Sequence, residues 1–327
     1  MRLLDSVAQA QGRLLVESPT GKVFDVPSAA GHAAAVRHCP LRYVLDDAVS
    51  AFVATFAFTN PERVLQCMDL ARAPAERVWI EWNDGARSEA LVEAGFSQAN
   101  RKRQIAGVLV TSDASGRRGE IAPMWLSDDD EPMVASMVME FDLDEPSFGR
   151  DEGGRQENVY CASVAGHDAL EAMFGFARFR LRGEWSEYYR SLGLTEAAAQ
   201  ECLRENCECV AADLPFVFAF LLALNARNAV ALEPSSLAKL NKHRRLAGKP
   251  ELLEFTDVRA LLGGIQVEHG AGSSWSRREA RQHFVSGHLV RRAGQIFWRR
   301  SHVRGNPARG VVLGRTVHLR LGSAARL

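Results

Sequence analysis

Two hydrophobic periods run through the first 115 residues of this chain. Arg13–Val16 and Lys22–Val26 flank Ser18-Pro19-Thr20-Gly21, a pattern that predicts a hairpin. Asp46–Phe58 has helical spacing, with Asp46 or Asp47 as N-cap and Asn60-Pro61 as its stop, and Pro61–Ala71 suits a second helix. Arg77-Val-Trp-Ile-Glu-Trp82 alternates with period two. It predicts a strand with Val78, Ile80 and Trp82 on one face and Trp79 and Glu81 on the other. Asn83-Asp84-Gly85 is expected to close that strand as a turn, before a short helix over Arg87–Ala94 and a strand over Arg103–Thr111.

The pattern then shifts. Residues 119–174 hold 14 acids against Arg150 and Arg155, with a strand-like apolar run at Met133–Phe141 and a loop at Pro146–Gly154. Asp128-Asp-Asp-Glu131 reads as a solvated turn, because a calcium loop needs alternating oxygen ligands and a glycine bend. Ser163–Arg182 predicts a helix, and Thr195 caps another that continues through Ala197–Cys209. Pro215 opens a third, running to Asn228, that is apolar nearly all round and so belongs at the centre of a core.

Beyond Pro234 the chain becomes basic. A short helix over Leu237–Leu246 would turn Leu237 and Leu240 inward, with Lys239, Lys242, His243 and Arg245 around the rest and Gly248-Lys249-Pro250 as its stop. Strands are expected at Leu252–Val258 and Ile265–Glu268. Gln282–Arg292 and Gln295–Val303 form a hairpin about Ala293-Gly294, Asn306–Gly310 is a loop, and Val311–Leu321 is a further strand. The expectation is an α+β protein: an N-terminal α+β region (1–118), an acidic connecting stretch (119–158), a helical core region (159–234) and a basic β-hairpin-rich module (235–327).

Composition sharpens that division. The 40 Lys plus Arg balance the 40 Asp plus Glu. Residues 235–327, however, carry 18 basic against 5 acidic residues, while residues 1–234 carry 22 against 35. Asymmetry of this kind points to a polyanionic partner, or to two opposed regions that meet each other within the molecule or across a homodimer. Met1–Asp5 lacks a leader pattern, and the apolar runs Ala48–Phe58 and Leu214–Leu224 fit core helices better than membrane spans, so a cytoplasmic protein without membrane contact is expected. Cys202-x4-Cys207-x-Cys209 lacks the spacing of a zinc site, so neither metal nor other cofactor is expected.

The C-terminal hairpin carries the candidate chemistry. Arginine forks hold phosphate in two places at once, and aromatic faces stack bases. On this reasoning Arg291, Arg292, Trp298, Arg299, Arg300 and Arg304, with Lys242, Arg244, Arg245 and Lys249, are the candidate nucleic-acid contacts. No catalytic motif is present. A metal-independent RNase would need His288 and His302 as base and acid, with Arg300 or Arg304 on the developing charge. The chain has neither the His–Asn–His arrangement of ββα-metal nucleases nor the His-x-Thr or His-x-Ser of two-histidine phosphoesterases. A protein-interaction module or inhibitor is the other class compatible with these features.

Leu240-Asn-Lys-His-Arg-Arg-Leu-Ala-Gly-Lys-Pro250, then His283-Phe-Val-Ser-Gly-His288, Trp298 and Val303-Arg-Gly305, resemble a family of uncharacterised proteins of tailed phages and prophages. Trp79-Ile-Glu-Trp82 resembles its N-terminal part. Ser286-Gly-His288 stands where that family has Arg-Gly-His. The family has no established activity, so the resemblance implies a phage or mobile-element context and names no reaction.

Overall fold

A computed structural model describes residues 2–93, 104–150, 159–160, 168–261, 266–267, 281–285, 287–299, 302–304 and 306–311. The chain opens with α1 (Leu3–Gln9), β1 (Leu14–Glu17), β2 (Val23–Val26), α2 (Ala30–Arg37), β3 (Leu41–Leu45), α3 (Asp47–Thr59), α4 (Pro61–Leu65) and a 3-10 turn at Met68–Leu70. It continues through β4 (Arg77–Asn83), α5 (Asp84–Glu93), β5 (Ile105–Ser112), β6 (Arg118–Leu126), β7 (Pro132–Val134), β8 (Met137–Asp142) and β9 (Val159–Tyr160). Next come α6 (Asp168–Phe174), β10 (Ala177–Leu181), α7 (Gly183–Ser191), α8 (Glu196–Ala211), α9 (Asp213–Asn225), β11 (Val230–Pro234), α10 (Ala238–Leu246) and β12 (Thr256–Ala260). The remainder is β13 (Gln266–Val267), β14 (Arg281–Val285), β15 (His288–Arg292), β16 (Gln295–Arg299), β17 (His302–Arg304) and β18 (Asn306–Val311).

Two compact units result: Met1–Leu261 with Arg291–Phe297, and Leu262–Val290 with Trp298–Leu327. The first is built on a ten-stranded mixed sheet of order β11-β12-β3-β4-β5-β6-β8-β10-β9, with β7 added to β6. Of the described pairs in that path, β12–β3 and β3–β4 are parallel and the rest antiparallel. The second holds a four-stranded sheet of order β13-β17-β14-β18. Helices and a mixed sheet together make this an α+β protein, as the hydrophobic pattern predicts.

Why the sheet is central follows from its two faces. On one, Leu3, Leu4 and Val7 of α1 and Val36 of α2 cover Trp79, Leu109, Met124 and Val138. On the other lies α9, whose side chains from Asp213 to Ala223 are all buried. Its rings meet the sheet at Tyr43–Phe220 (5.9 Å), Trp82–Phe216 (4.8 Å) and Phe141–Phe218 (6.2 Å). The strand β4 is therefore buried on both sides from Val78 to Trp82. Its sequence alternation does not separate a wet face from a dry one.

Two polar clusters hold these layers in register. Arg87 of α5 is buried against Asp84 (2.6 Å) and Asp213 and lies 5.4 Å from the Trp82 ring, while Trp82 Nε1 donates to Asp84 (3.1 Å). Burial opposes its charge, but the two carboxylates outweigh it and keep the guanidinium protonated. The cluster joins the end of β4, the start of α5 and the first turn of α9. On the opposite face Glu81 accepts from the Leu3 and Leu4 N–H groups (3.2 and 2.7 Å) and from Trp79 Nε1 (3.2 Å). Burial drives its carboxyl up to about 7, against the pull of those three donors.

Several local expectations hold. Asp46 caps α3 by accepting from Val49 N (2.7 Å), and Thr195 caps α8 by accepting from Ala198 N (3.3 Å). β1 and β2 form the expected antiparallel pair. Other expectations are corrected. Asn83-Asp84-Gly85 does not close a turn: Asn83 Oδ1 accepts from Gly85 N (2.9 Å) and starts α5 directly. Ser163–Arg182 is not one helix. α6 ends at Phe174, and β10 follows with Ala177, Phe179 and Leu181 inward and Arg178 and Arg180 half-exposed, a two-residue period within the span. Asn306–Gly310 is a strand, because β18 pairs with β14. Residues 119–150 contribute most of β6, β8 and the short β7 beside β6; β6 and β8 are interior strands whose Glu120 and Glu140 are met by Arg180 and Arg178. Of the cysteine cluster on α8, Cys207 is buried, Cys202 is half-buried and Cys209 is exposed.

Replacing Arg87 with Met strands two carboxylates in the core. The expected loss is about 3–5 kcal/mol, read as a lower urea midpoint at unchanged slope. The sign for Glu81 is the reverse of a salt-bridged acid. Its folded pKa lies above the ordinary value of about 4.3, so its stabilising share is full below that value and lost as pH rises through the folded pKa. The melting temperature of the wild type should fall more steeply between about pH 5 and about pH 8 than that of Glu81→Gln; parallel profiles would refute the assignment.

Candidate nucleic-acid interface

The hairpin tip Arg291–Phe297 belongs to the first unit. Ala293 (φ 50°) and Gly294 (φ 72°) both take left-handed backbone, the primed turn whose twist suits a two-residue hairpin. The tip is tied down where α9 hands over to β11. Arg227 N donates to Ile296 O (3.0 Å), Arg227 bridges to Phe297 in parallel, and its guanidinium lies 5.6 Å from the Phe297 ring.

Beside this tip runs a groove of about 690 Å³, walled by Asp69, Arg72, Arg117, Asn225, Arg227 and the turn Gly294–Ile296. Its arginines play different parts. Arg117 is a strut. It donates to the carbonyls of Asp69 (3.0 Å), Ala71 (2.8 Å) and Leu143 (2.7 Å) and pairs with Asp144 (2.6 Å). Gly116 before it has no room for a side chain, since a Cβ would stand 2.3 Å from Ala73 O. Asn225 holds the same loop by donating to Arg72 O (3.3 Å). Asp69 is neutralised by Arg291 (2.8 Å). The side chains of Arg72 and Arg292 are exposed and have no hydrogen-bond or ion-pair partner among the described residues. The groove thus keeps Arg72 and Arg227 for an outside anion, with Arg292 exposed on the neighbouring turn, while its carboxylate already has a cation.

A second basic surface is α10. It rests on Asn241, whose amide donates to Leu252 O and accepts from Leu252 N (2.9 Å each). Leu240, expected inside, is 47% exposed; Asn241 takes the inner position instead, by bonding backbone. Arg244 donates to Pro250 O (2.7 Å) and Arg245 pairs with Glu251 (2.6 Å), so both serve the helix itself. Lys242 and Lys249 are exposed.

The other sequence candidates scatter. Trp298 is 9% exposed, so its ring fills the interior and cannot serve as a stacking platform; hydrophobic burial outweighs the base-stacking role expected of it. Arg299 is exposed on β16. Arg304 stands opposite His283 in the β14–β17 ladder, and Arg300 lies outside the described residues. His302 is opposite Val285 and Gln266, and His288 begins β15. Among the described pairings the two histidines are not cross-strand partners. Sequence reasoning missed Arg72, Arg117 and Arg227 altogether, because they lie in the acidic part of the chain and only the fold gathers them.

No protein-family model, curated protein or solved structure matches this chain.

Trp298→Ala should lower stability by about 3–5 kcal/mol. It should leave affinity for an oligonucleotide unchanged once measured below the melting transition, and a selective loss of binding in the folded variant would restore the stacking role.

Proposed function

We propose that this protein binds nucleic acid, as an accessory protein of a phage or mobile element, with the hairpin tip and its groove holding the phosphate backbone. The observation that carries this reading is the meeting of Arg72, Arg117 and Arg227 with the Gly294–Ile296 turn around one groove whose carboxylate, Asp69, is already paired with Arg291. Guanidinium groups are weakly hydrated and fork-shaped, which suits them to phosphate oxygens. A preorganised set costs little ordering entropy on binding, and here the Arg227 backbone bond and the primed turn fix the tip in advance. Phe297 is half-buried under Arg227, so a base could lie at the groove's edge without displacing core.

Phosphate contact predicts steep salt dependence. In fluorescence anisotropy with a labelled oligonucleotide, removing Arg72, Arg227 and Arg292 together should weaken binding and flatten the slope of log K against log salt by about 2 to 3, since each phosphate contact contributes about 0.7–0.9. Salt-insensitive binding, or none, by the wild-type protein would overturn this reading.

A further inference from the structure

α10 is unusual for a helix in a folded domain. A helix ordinarily buries a stripe about 100° wide against the core. Here only Asn241 is buried, Leu237 before it and Arg244 are half-buried, and every other residue from Ala238 to Leu246 is exposed. At 100° per residue, Lys239, Lys242, His243 and Leu246 fall on one side, opposite the Asn241 root. That outward side holds no acid, and its three basic side chains have no hydrogen-bond or ion-pair partner among the described residues. Lys249 lies just past the C-terminus, after a left-handed Gly248 whose turn lets Lys249 N donate to Arg244 O (2.9 Å). The helix is nevertheless firmly placed by the paired Asn241–Leu252 bonds, the Arg244 bond to Pro250 and the Arg245–Glu251 pair. It is a rigid projection with a cationic outer face.

We infer that α10 is a recognition helix for double-stranded nucleic acid, seated in the major groove with Lys239, Lys242 and Lys249 on the flanking phosphates. This rests on the nucleic-acid reading above and adds the duplex to it. Three features favour that occupant. The outer face is complementary in charge to a phosphate-lined groove. The nine residues of α10 make a rod about 13 Å long, and a helix of ordinary diameter fits a major groove about 12 Å wide. The third is position. β11 is the edge strand of the large sheet, with Arg227 and the hairpin tip next to its N-terminal end and α10 following its C-terminal end. Its five residues place the two basic surfaces about 17 Å apart along one edge, roughly five base-pair steps of a duplex lying beside it. The Glu233 carboxylate on that edge is matched by Arg259 (3.2 Å), so it offers little repulsion.

The test compares a labelled duplex with the matching single strand in anisotropy titrations at fixed salt. The variant Lys239→Gln/Lys242→Gln/His243→Gln alters exposed side chains and should fold as the wild type, which circular dichroism checks. With two to three cations removed from the duplex contact, its affinity for the duplex should fall about tenfold or more while single-strand affinity stays within about twofold. Equal loss on both ligands, or loss on neither, overturns the role of α10 and leaves the groove reading standing, provided the groove variant still loses binding. Wild-type protein that binds neither ligand overturns both. Asn241→Ala, which removes the root but no charge, should weaken duplex binding in the same selective way; undiminished duplex affinity there would also count against a fixed recognition helix.

Discussion

Arg87 buried between two aspartates is the constraint on which the first unit is arranged. A guanidinium inside a core is tolerated only where carboxylates compensate its lost hydration. Asp84 comes from the start of α5, directly after β4, and Asp213 from the first turn of α9, so satisfying one cation fixes the helix that fills one side of the sheet. Once the start of α9 is set, its apolar surface from Leu214 to Ala223 settles on Tyr43, Trp82 and Phe141, and its far end delivers Asn225 and Arg227 to the rim. Arg227 is thus positioned by an ion cluster at the other end of the same helix.

What could be read from sequence was what depends on neighbours within a few residues. The Asp46 and Thr195 caps, the stop at Asn60-Pro61, the left-handed pair Ala293-Gly294 and the all-round apolar α9 each announce themselves locally. What could not be read depends on distant partners. Glu81 looks like the polar face of a strand until α1 is seen to place two N–H groups on it. Trp298 looks like a stacking residue until its burial is known. β10 was hidden because Phe174 and Phe176 extend an apparent helical spacing into a strand.

Charge shows the same division between chemistry and placement. The basic excess of residues 235–327 is real, yet several of its cations serve the protein itself: Arg244 and Arg245 brace α10, and Arg291 neutralises Asp69. Conversely, the groove draws Arg72, Arg117 and Arg227 from the part of the chain where acids predominate. Acids there are also occupied, Glu120 and Glu140 by Arg178 and Arg180 across β6, β8 and β10. A charge balance taken along the sequence therefore does not say which of its charges are already paired within the fold.

Pro234 gives the sheet's edge a further property. In the β11–β12 ladder the bonds at Ala229–Leu261 and Ser235–Phe255 leave Val230 and Leu232 with backbone groups directed away from β12, and Pro234, in the same phase, has no N–H to offer. An incoming strand could make only a short, incomplete ladder there. Leu232, 48% exposed on that edge, would otherwise be an invitation to sheet extension and fibrillar growth. The proline guards this edge against self-assembly.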